Sequence, residues 1–423
     1  MMQGPGLEVG LEAGKAFLKE RSPLGPLRIM FKHVGRFFQI PLFFFHPFLV
    51  AGPEAVRKVL VTEQQKVAWR NPDPVTDLLR QGVLVMDGEE HDRYRRLMEP
   101  AVARLALPGF SGLMLRQTER VMAQWQNGQT VDMLVEGRKI ALLIVLEALF
   151  GVDGWDDLPR IWTPILKAIE YISPGAWIFW RKIPRLGYKK HLKTLDDYLY
   201  GIIRSRRAVA YPSNDLLQHL INAGLNDELI RDQMLTMLIA GHDTSTALLA
   251  WVFVLLGQNP ATHARLVSEL DAAEPDAPPR LLDDVIKESL RLYPPIHIGN
   301  RMVKEDIHFA GGIVPAGERL FYSIYLTQRD PQSWEQPDDF CPERFSQGFK
   351  QPPFAYIPFG GGPRACIGAA FGQAEARIVI ASLLRSFTFE PSNAGAIHAH
   401  MGATLEPRPG VLMRVKRRGF VGK

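Results

Sequence analysis

The longest hydrophobic pattern in the chain runs from Leu229 to Gln258. Met234, Leu235, Met237, Leu238 and Ile239 are followed by Ala247, Leu248, Leu249, Trp251, Val252, Val254, Leu255 and Leu256, and Gly257 and Pro260 close the run. The spacing predicts one long helix, apolar nearly all round, which belongs in a protein core or a membrane. Its middle breaks the pattern with a polar island, Ala240-Gly241-His242-Asp243-Thr244-Ser245-Thr246. A membrane span does not tolerate such an island cheaply, and buried polar groups cost free energy unless they are bonded or used. Gly241 beside Asp243 and Thr244 predicts a local widening, where Thr bonds back to a carbonyl or to a bound water. On this segment alone, a structural core helix with a Ser/Thr stripe remains an alternative.

Other stretches read as shorter elements. Ala369 to Ser386 has the period of an amphipathic helix. Asp283 to Leu292 is helical and is stopped by Tyr293-Pro294-Pro295. The aromatic and β-branched stretch from Phe37 to Val50 fits two short strands joined by a turn; it is broken by Pro41 and Pro47 and is too short to span a bilayer. A Pro-rich stretch from Glu274 to Arg280 reads as a surface loop between helices.

Composition narrows the class. The chain has 423 residues, 46% of them hydrophobic, enough for a large core. No linker, charge block or repeat divides it, so one large mixed domain is the simpler reading. Two cysteines, Cys341 and Cys366, exclude a disulfide framework and a protein-built cysteine cluster, and point to a reducing, cytoplasmic compartment. Met1 to Glu20 carries no signal-peptide pattern. The net charge of +5 reads as solubility and does not localise a patch for nucleic acid or another acidic partner.

The chemistry concentrates around Cys366, in Phe359-Gly360-Gly361-Gly362-Pro363-Arg364-Ala365-Cys366-Ile367-Gly368. So much glycine holds the cysteine on a loop, just before a predicted helix whose unsatisfied N–H groups favour an anion. A thiolate there is expected to have a lowered pKa and to serve as a nucleophile or a metal ligand. Glu288 and Arg291 share one helical face; taken alone, they read as an ordinary surface ion pair. His91 and Arg95 are likewise one turn apart, on a helix opening near Gly88.

The loop, the polar island, the Glu288/Arg291 pair and Pro342-Glu343-Arg344-Phe345, in this order, resemble cytochrome P450, the haem-thiolate monooxygenases. The loop matches at Phe359, Gly360, Gly362, Arg364, Cys366 and Gly368, and matching motifs span Gly88 to Gly372. The resemblance implies a mainly α fold with small β-sheets. It implies a single domain over residues 1–423, β-rich at about 35–70 and with a helical haem-binding core over about 85–423. Haem b would lie between the central helix and the cysteine loop, with Cys366 as its iron ligand. Thr244 would bond dioxygen, Asp243 would feed protons, and Ala240 and Gly241 would flank the haem face. His242 sits at a variable position of that motif and reads as packing. His91, Arg95, Arg301 and Arg364 match propionate contacts, with Phe359 and Gly368 also framing the cofactor. Glu288, Arg291 and Arg344 would form the triad that locks the cysteine loop. With no flavin or iron–sulfur segment in the chain, electrons from NAD(P)H would come through a reductase and a separate ferredoxin or flavodoxin.

Substrate is less legible. Val85, Ala240, Ile296, Ile298 and Ala403 are candidate lining positions, apolar and without a fixed charge except at His297 nearby. They suit a large hydrophobic substrate: a carotenoid or terpenoid first, a fatty acid next. Trp177 to Lys182, apolar and then basic, is a packed connection or an access lid, and the 174–190 region is the candidate for peripheral membrane contact. The alternatives are a peroxide-dependent peroxygenase or an isomerase of the same fold, and a non-catalytic haem sensor or carrier.

Overall fold

The computed structural model describes residues 7–40, 46–69, 73–103, 107–174, 185, 187–209, 214–274, 277–346 and 350–419. Trp177 to Lys182, the candidate lid, lies outside them. Of the described residues 59% are helical, with several small sheets, the mainly α class that the sequence implies.

The central helix spans Asp227–Gln258. It begins two residues before the hydrophobic run because the Asn226 side chain accepts the Leu229 N–H at 2.9 Å and caps it. From Ile230 to Leu256 every residue is buried except Ala240, Gly241 and Thr244. Its main neighbour is the helix Met133–Phe150, itself buried along nearly its whole length. Among the described residues the central helix is the one long and apolar enough to cross a membrane, and its most apolar window is 83% buried inside the protein. The expected widening is not there. The helix runs unbroken through the polar island because the Thr244 hydroxyl donates to the Ala240 carbonyl at 2.7 Å, and Thr246 to His242 at 2.7 Å, within the helix itself.

The strands from the 37–50 stretch, Phe37–Gln39 and Phe48–Val50, pair antiparallel with Phe38 opposite Leu49. They continue a five-stranded sheet through Arg319–Ser323, Ile298–Val303 and Val67–Ala68. The Phe48–Val50 strand lies parallel to Arg319–Ser323, and beyond it the Gly52 N–H donates to the Thr327 hydroxyl at 2.9 Å. A separate hairpin, His398–Met401 with Leu405–Arg408, lies against the central helix, where the Trp251 indole N–H donates to the Leu405 carbonyl at 2.8 Å. The sheet carries Arg301, and the hairpin carries Ala403 and Thr404 at its turn.

Candidate active site

The cysteine loop is shaped by backbone that only glycine accommodates. Gly362 has φ +67°, and a Cβ there would sit 2.3 Å from the Leu60 carbonyl oxygen, so a side chain is excluded both by conformation and by space. The Cys366 N–H donates to the Phe359 carbonyl at 2.8 Å, closing the loop, and the helix Ala369–Ser386 starts right after Gly368. The thiol is reachable by solvent yet enclosed by the surrounding chain. Burial pushes its pKa up, and the Gly368 N–H and the Arg95 charge, which act the other way, do not overcome it. This corrects the lowered pKa expected from the helix terminus: desolvation outweighs the dipole.

The Glu288/Arg291 pair is not a surface pair. Both side chains are fully buried. Glu288 accepts from Arg291 Nε at 2.7 Å and Nη2 at 2.8 Å, from the Cys341 N–H at 2.9 Å and from Arg344 Nε at 3.2 Å. Arg291 also donates to the carbonyls of Gln328, Pro337 and Asp339. Gln328, whose amide donates to the Leu290 and Arg291 carbonyls, accepts the Ile357 N–H at 2.8 Å. Hydrogen bonds therefore run from the triad to a residue two positions before Phe359.

Ala240, Gly241 and Thr244 form one open face on the buried central helix. Ile239, beside Ala240, belongs to an apolar cluster against which Ile367, beside Cys366, also packs. Residues next to the open face and next to the thiol thus share one apolar cluster. Asp243 points elsewhere. It is buried, paired with Arg138 Nη2 at 3.0 Å, and accepts from the Thr404 hydroxyl at 2.9 Å. Burial raises its pKa against the pull of Arg138. His242 Nδ1 lies 2.8 Å from the Leu238 carbonyl and must donate to it. Burial lowers the His242 pKa to about 4, so the ring is neutral and packs inside the fold. On the same helix, the Ser245 hydroxyl donates to Glu375 at 2.5 Å, and burial raises the Glu375 pKa to about 8.

The four expected propionate contacts share one neighbourhood. Arg364 and Arg95 both lower the His91 pKa, after burial as the main cause, and Arg301 acts on Arg364. Arg301 and Arg364 both lie over the Trp69 ring, at 4.9 and 5.7 Å from its centroid. Arg364 is also paired with Asp87 at 2.6 Å, and Arg95 donates to the Ala365 carbonyl at 2.7 Å. One thiol in an apolar setting, a small-residue helical face and a set of cations fit a flat metal macrocycle with acidic edges.

The substrate candidates are only partly gathered. Val85 and Ala403 pack against the apolar cluster that contains Ile239, whereas Ile298 packs against a different one and Ile296 is exposed. Sequence reasoning missed Arg138, Glu406, Gln328, Glu375, Asp87 and Trp69, and it marked Gly402 to Thr404 as a pocket lining without foreseeing the bond from Thr404 to Asp243.

The family described as Cytochrome P450 matches residues 13–415 of this chain. The chain is 30% identical over 373 residues to "Pentalenene oxygenase" of Streptomyces avermitilis, covering 80% of this chain and 81% of that protein. It is 29% identical over 385 residues to "Putative cytochrome P450 138" of Mycobacterium tuberculosis, covering 88% and 86%. In structure it is similar to the retinoic acid-bound cyanobacterial CYP120A1, with a TM-score of 0.84, 24% identity, and coverage of 92% and 94%.

Proposed function

Because this chain belongs to the cytochrome P450 family and is a haem-dependent monooxygenase, we propose that it inserts oxygen into a C–H bond of a large, uncharged isoprenoid. The observation that carries the reading is the open face of Ala240, Gly241 and Thr244, which interrupts the burial of the central helix between Ile230 and Leu256 and lies next to an apolar cluster against which Ile367, beside Cys366, also packs. The cofactor is haem b. When bound, it supplies dioxygen activation and transfer of one oxygen atom to the substrate. The chain's part is to hold, orient and shield.

Cys366 would hold the iron as its thiolate, giving up its proton to do so. Arg95, Arg301 and Arg364 would neutralise the two carboxylates of the cofactor, with His91 beside them as a hydrogen-bonding partner. Ala240 and Gly241 leave room at the haem face. Thr244 presents a hydroxyl there, and Asp243 holds the proton supply behind it. Residues 1–423 act as one domain, with the triad of Glu288, Arg291 and Arg344 bracing the cysteine loop.

An isoprenoid is supported by two facts. Val85 and Ala403 offer only apolar contacts, and relatives include proteins named pentalenene oxygenase and cyclooctat-9-en-7-ol 5-monooxygenase. Fatty acids rank next. Electrons come from NAD(P)H through a reductase and a ferredoxin or flavodoxin in the cytoplasm.

The first test is the absorption spectrum of the reduced, carbon-monoxide-bound protein. The red-shifted Soret band of thiolate-ligated haem is expected, and Cys366→Ser should abolish it; an imidazole-type band in the wild-type protein overturns the ligand assignment. Turnover of terpenes with a ferredoxin system and NADPH is expected to exceed turnover with peroxide alone, and the reverse would mark a peroxygenase. Thr244→Ala should leave substrate binding intact but raise the hydrogen peroxide released per NADPH consumed by roughly tenfold, a loss of about 1.4 kcal/mol of proton-transfer advantage. Unchanged coupling removes Thr244 from the reaction.

A further inference from the structure

The Asp243 carboxylate is gripped from outside its own helix. Arg138 Nη2, from the helix Met133–Phe150, is shared between Asp243 and Glu406 of the hairpin. Glu406 is also paired with Arg408 at 2.8 Å. Thr404, at the hairpin turn, donates to the other Asp243 oxygen at 2.9 Å. The neighbouring residue, Ala403, donates its N–H to the Ser173 hydroxyl at 3.0 Å, just past the end of the helix Leu158–Ile172. Two adjacent residues of one turn therefore join the Asp243 carboxylate to the end of another helix. The hairpin itself cannot slide along the central helix, since Trp251 bonds the Leu405 carbonyl and the Leu405 N–H bonds the Pro295 carbonyl at 2.9 Å.

We propose that the turn at 402–404 is a positioning element for the proton-delivery residue: Thr404, with Arg138 and Glu406, fixes the Asp243 carboxylate, and Ala403 ties that carboxylate to Ser173. The proposal rests on the reading of Asp243 as the proton source. Its consequence is that substrate seated against Ala403 and the end of the Leu158–Ile172 helix sets how well Asp243 delivers protons. Coupling of oxygen use to product formation then depends on the fit of the substrate at the hairpin as well as at the haem.

The charges that face Asp243 are few and defined. Arg138 comes from the Met133–Phe150 helix, and Glu406 and Arg408 come from the hairpin. His400, across the hairpin, is held low by burial first and then by Arg408, and His242 is neutral. Arg138 Nε and His242 Nε2 are buried with no partner among the described residues, so the cluster keeps one unused donor and one unused acceptor.

The test uses the haem-loaded enzyme with Thr404→Val, Thr404→Ser, Ser173→Ala and Asp243→Asn. All four are first required to show the wild-type carbon-monoxide spectrum, which scores folding. Removing the Thr404 hydroxyl withdraws a hydrogen bond from the ionised carboxylate and should raise its titration midpoint by roughly one pH unit, read by infrared difference spectroscopy of the resting protein. It should also raise the peroxide released per NADPH roughly fivefold to tenfold. Thr404→Ser should restore both. Ser173→Ala should raise peroxide release while leaving the titration close to that of wild type. If Asp243→Asn uncouples the enzyme but Thr404→Val changes neither readout, the hairpin has no positioning role and the proposal fails while Asp243 remains the proton source. If Asp243→Asn leaves coupling intact, the proton-source reading fails. The infrared titration then decides alone: a shift in Thr404→Val upholds the positioning of the carboxylate, and no shift overturns it.

Discussion

Glu288→Ala is expected to cost about 3–5 kcal/mol of folding stability, because it leaves Arg291 and Arg344 as buried charges stripped of their carboxylate. Both arginines are cut off from solvent: Arg291 is fully buried and Arg344 nearly so. The Cys341 N–H loses its acceptor as well. The damage should spread along a definite route, from Arg291 through Gln328 to Ile357 and the start of the cysteine loop. Glu288→Gln keeps the shape and part of the hydrogen bonding, and should fall between wild type and Ala. Urea titration of the three proteins measures the stability, and the fraction of chains showing the carbon-monoxide band of thiolate-ligated haem measures the loop. A loss below about 1 kcal/mol would place the pair among ordinary surface pairs and remove the triad as the brace of the loop.

The second large effect concerns pH. Glu375 is fully buried, its Oε2 accepts from Ser245, and its other oxygen has no partner among the described residues. Its pKa in the fold stands at about 8 against 4.5 when exposed. Between these values the folded chain keeps a proton that the unfolded chain releases, so stability must fall as pH rises through that window. Below about pH 4.5 the effect is absent; above pH 8 it is complete. Glu375→Gln cannot ionise and should be more stable than wild type at pH 8 by on the order of 2–4 kcal/mol, with the difference shrinking toward pH 5. Melting temperatures of both proteins across pH 5 to 8.5 measure it. Parallel curves would mean that Glu375 is ionised in the fold and paired with a cation.

Much of this architecture was legible because it is written in local pattern. The central helix announced itself through an apolar run with a polar island, and the helix after Cys366 through its period. Its bounds, Ala369–Ser386, agree with the sequence reading. What the pattern could not convey is how the side chains are shared between distant elements. Nothing in Glu288-Ser289-Leu290-Arg291 distinguishes a surface pair from a buried one, since the burial comes from Gln328, Trp334 and Pro337. The Asp243 partners lie on two other elements, one of them over a hundred residues before it and the other over a hundred after. The thiol pKa was misjudged because a helix terminus is a local feature, whereas desolvation is a property of the assembled fold. The substrate positions suffered likewise: apolar residues can be picked from sequence, but Ile296 turns outward and Ile298 faces another cluster.

The five-stranded sheet bears on the order in which the molecule is assembled. Gly52 and Thr327, joined where its parallel strands end, are 275 residues apart in the chain. As the ribosome releases the polypeptide, Phe48–Val50 has its hairpin partner Phe37–Gln39 at hand but must wait for Arg319–Ser323. Until then one of its edges is open to strands of other chains. Closing so long a loop costs only slightly more entropy than closing a shorter one, but it is slow. Maturation of this protein is therefore paced from its far end: the sheet that carries Arg301 completes only after most of the chain has been made, and chains cut short before Ser323 are left with an unmatched edge prone to aggregation.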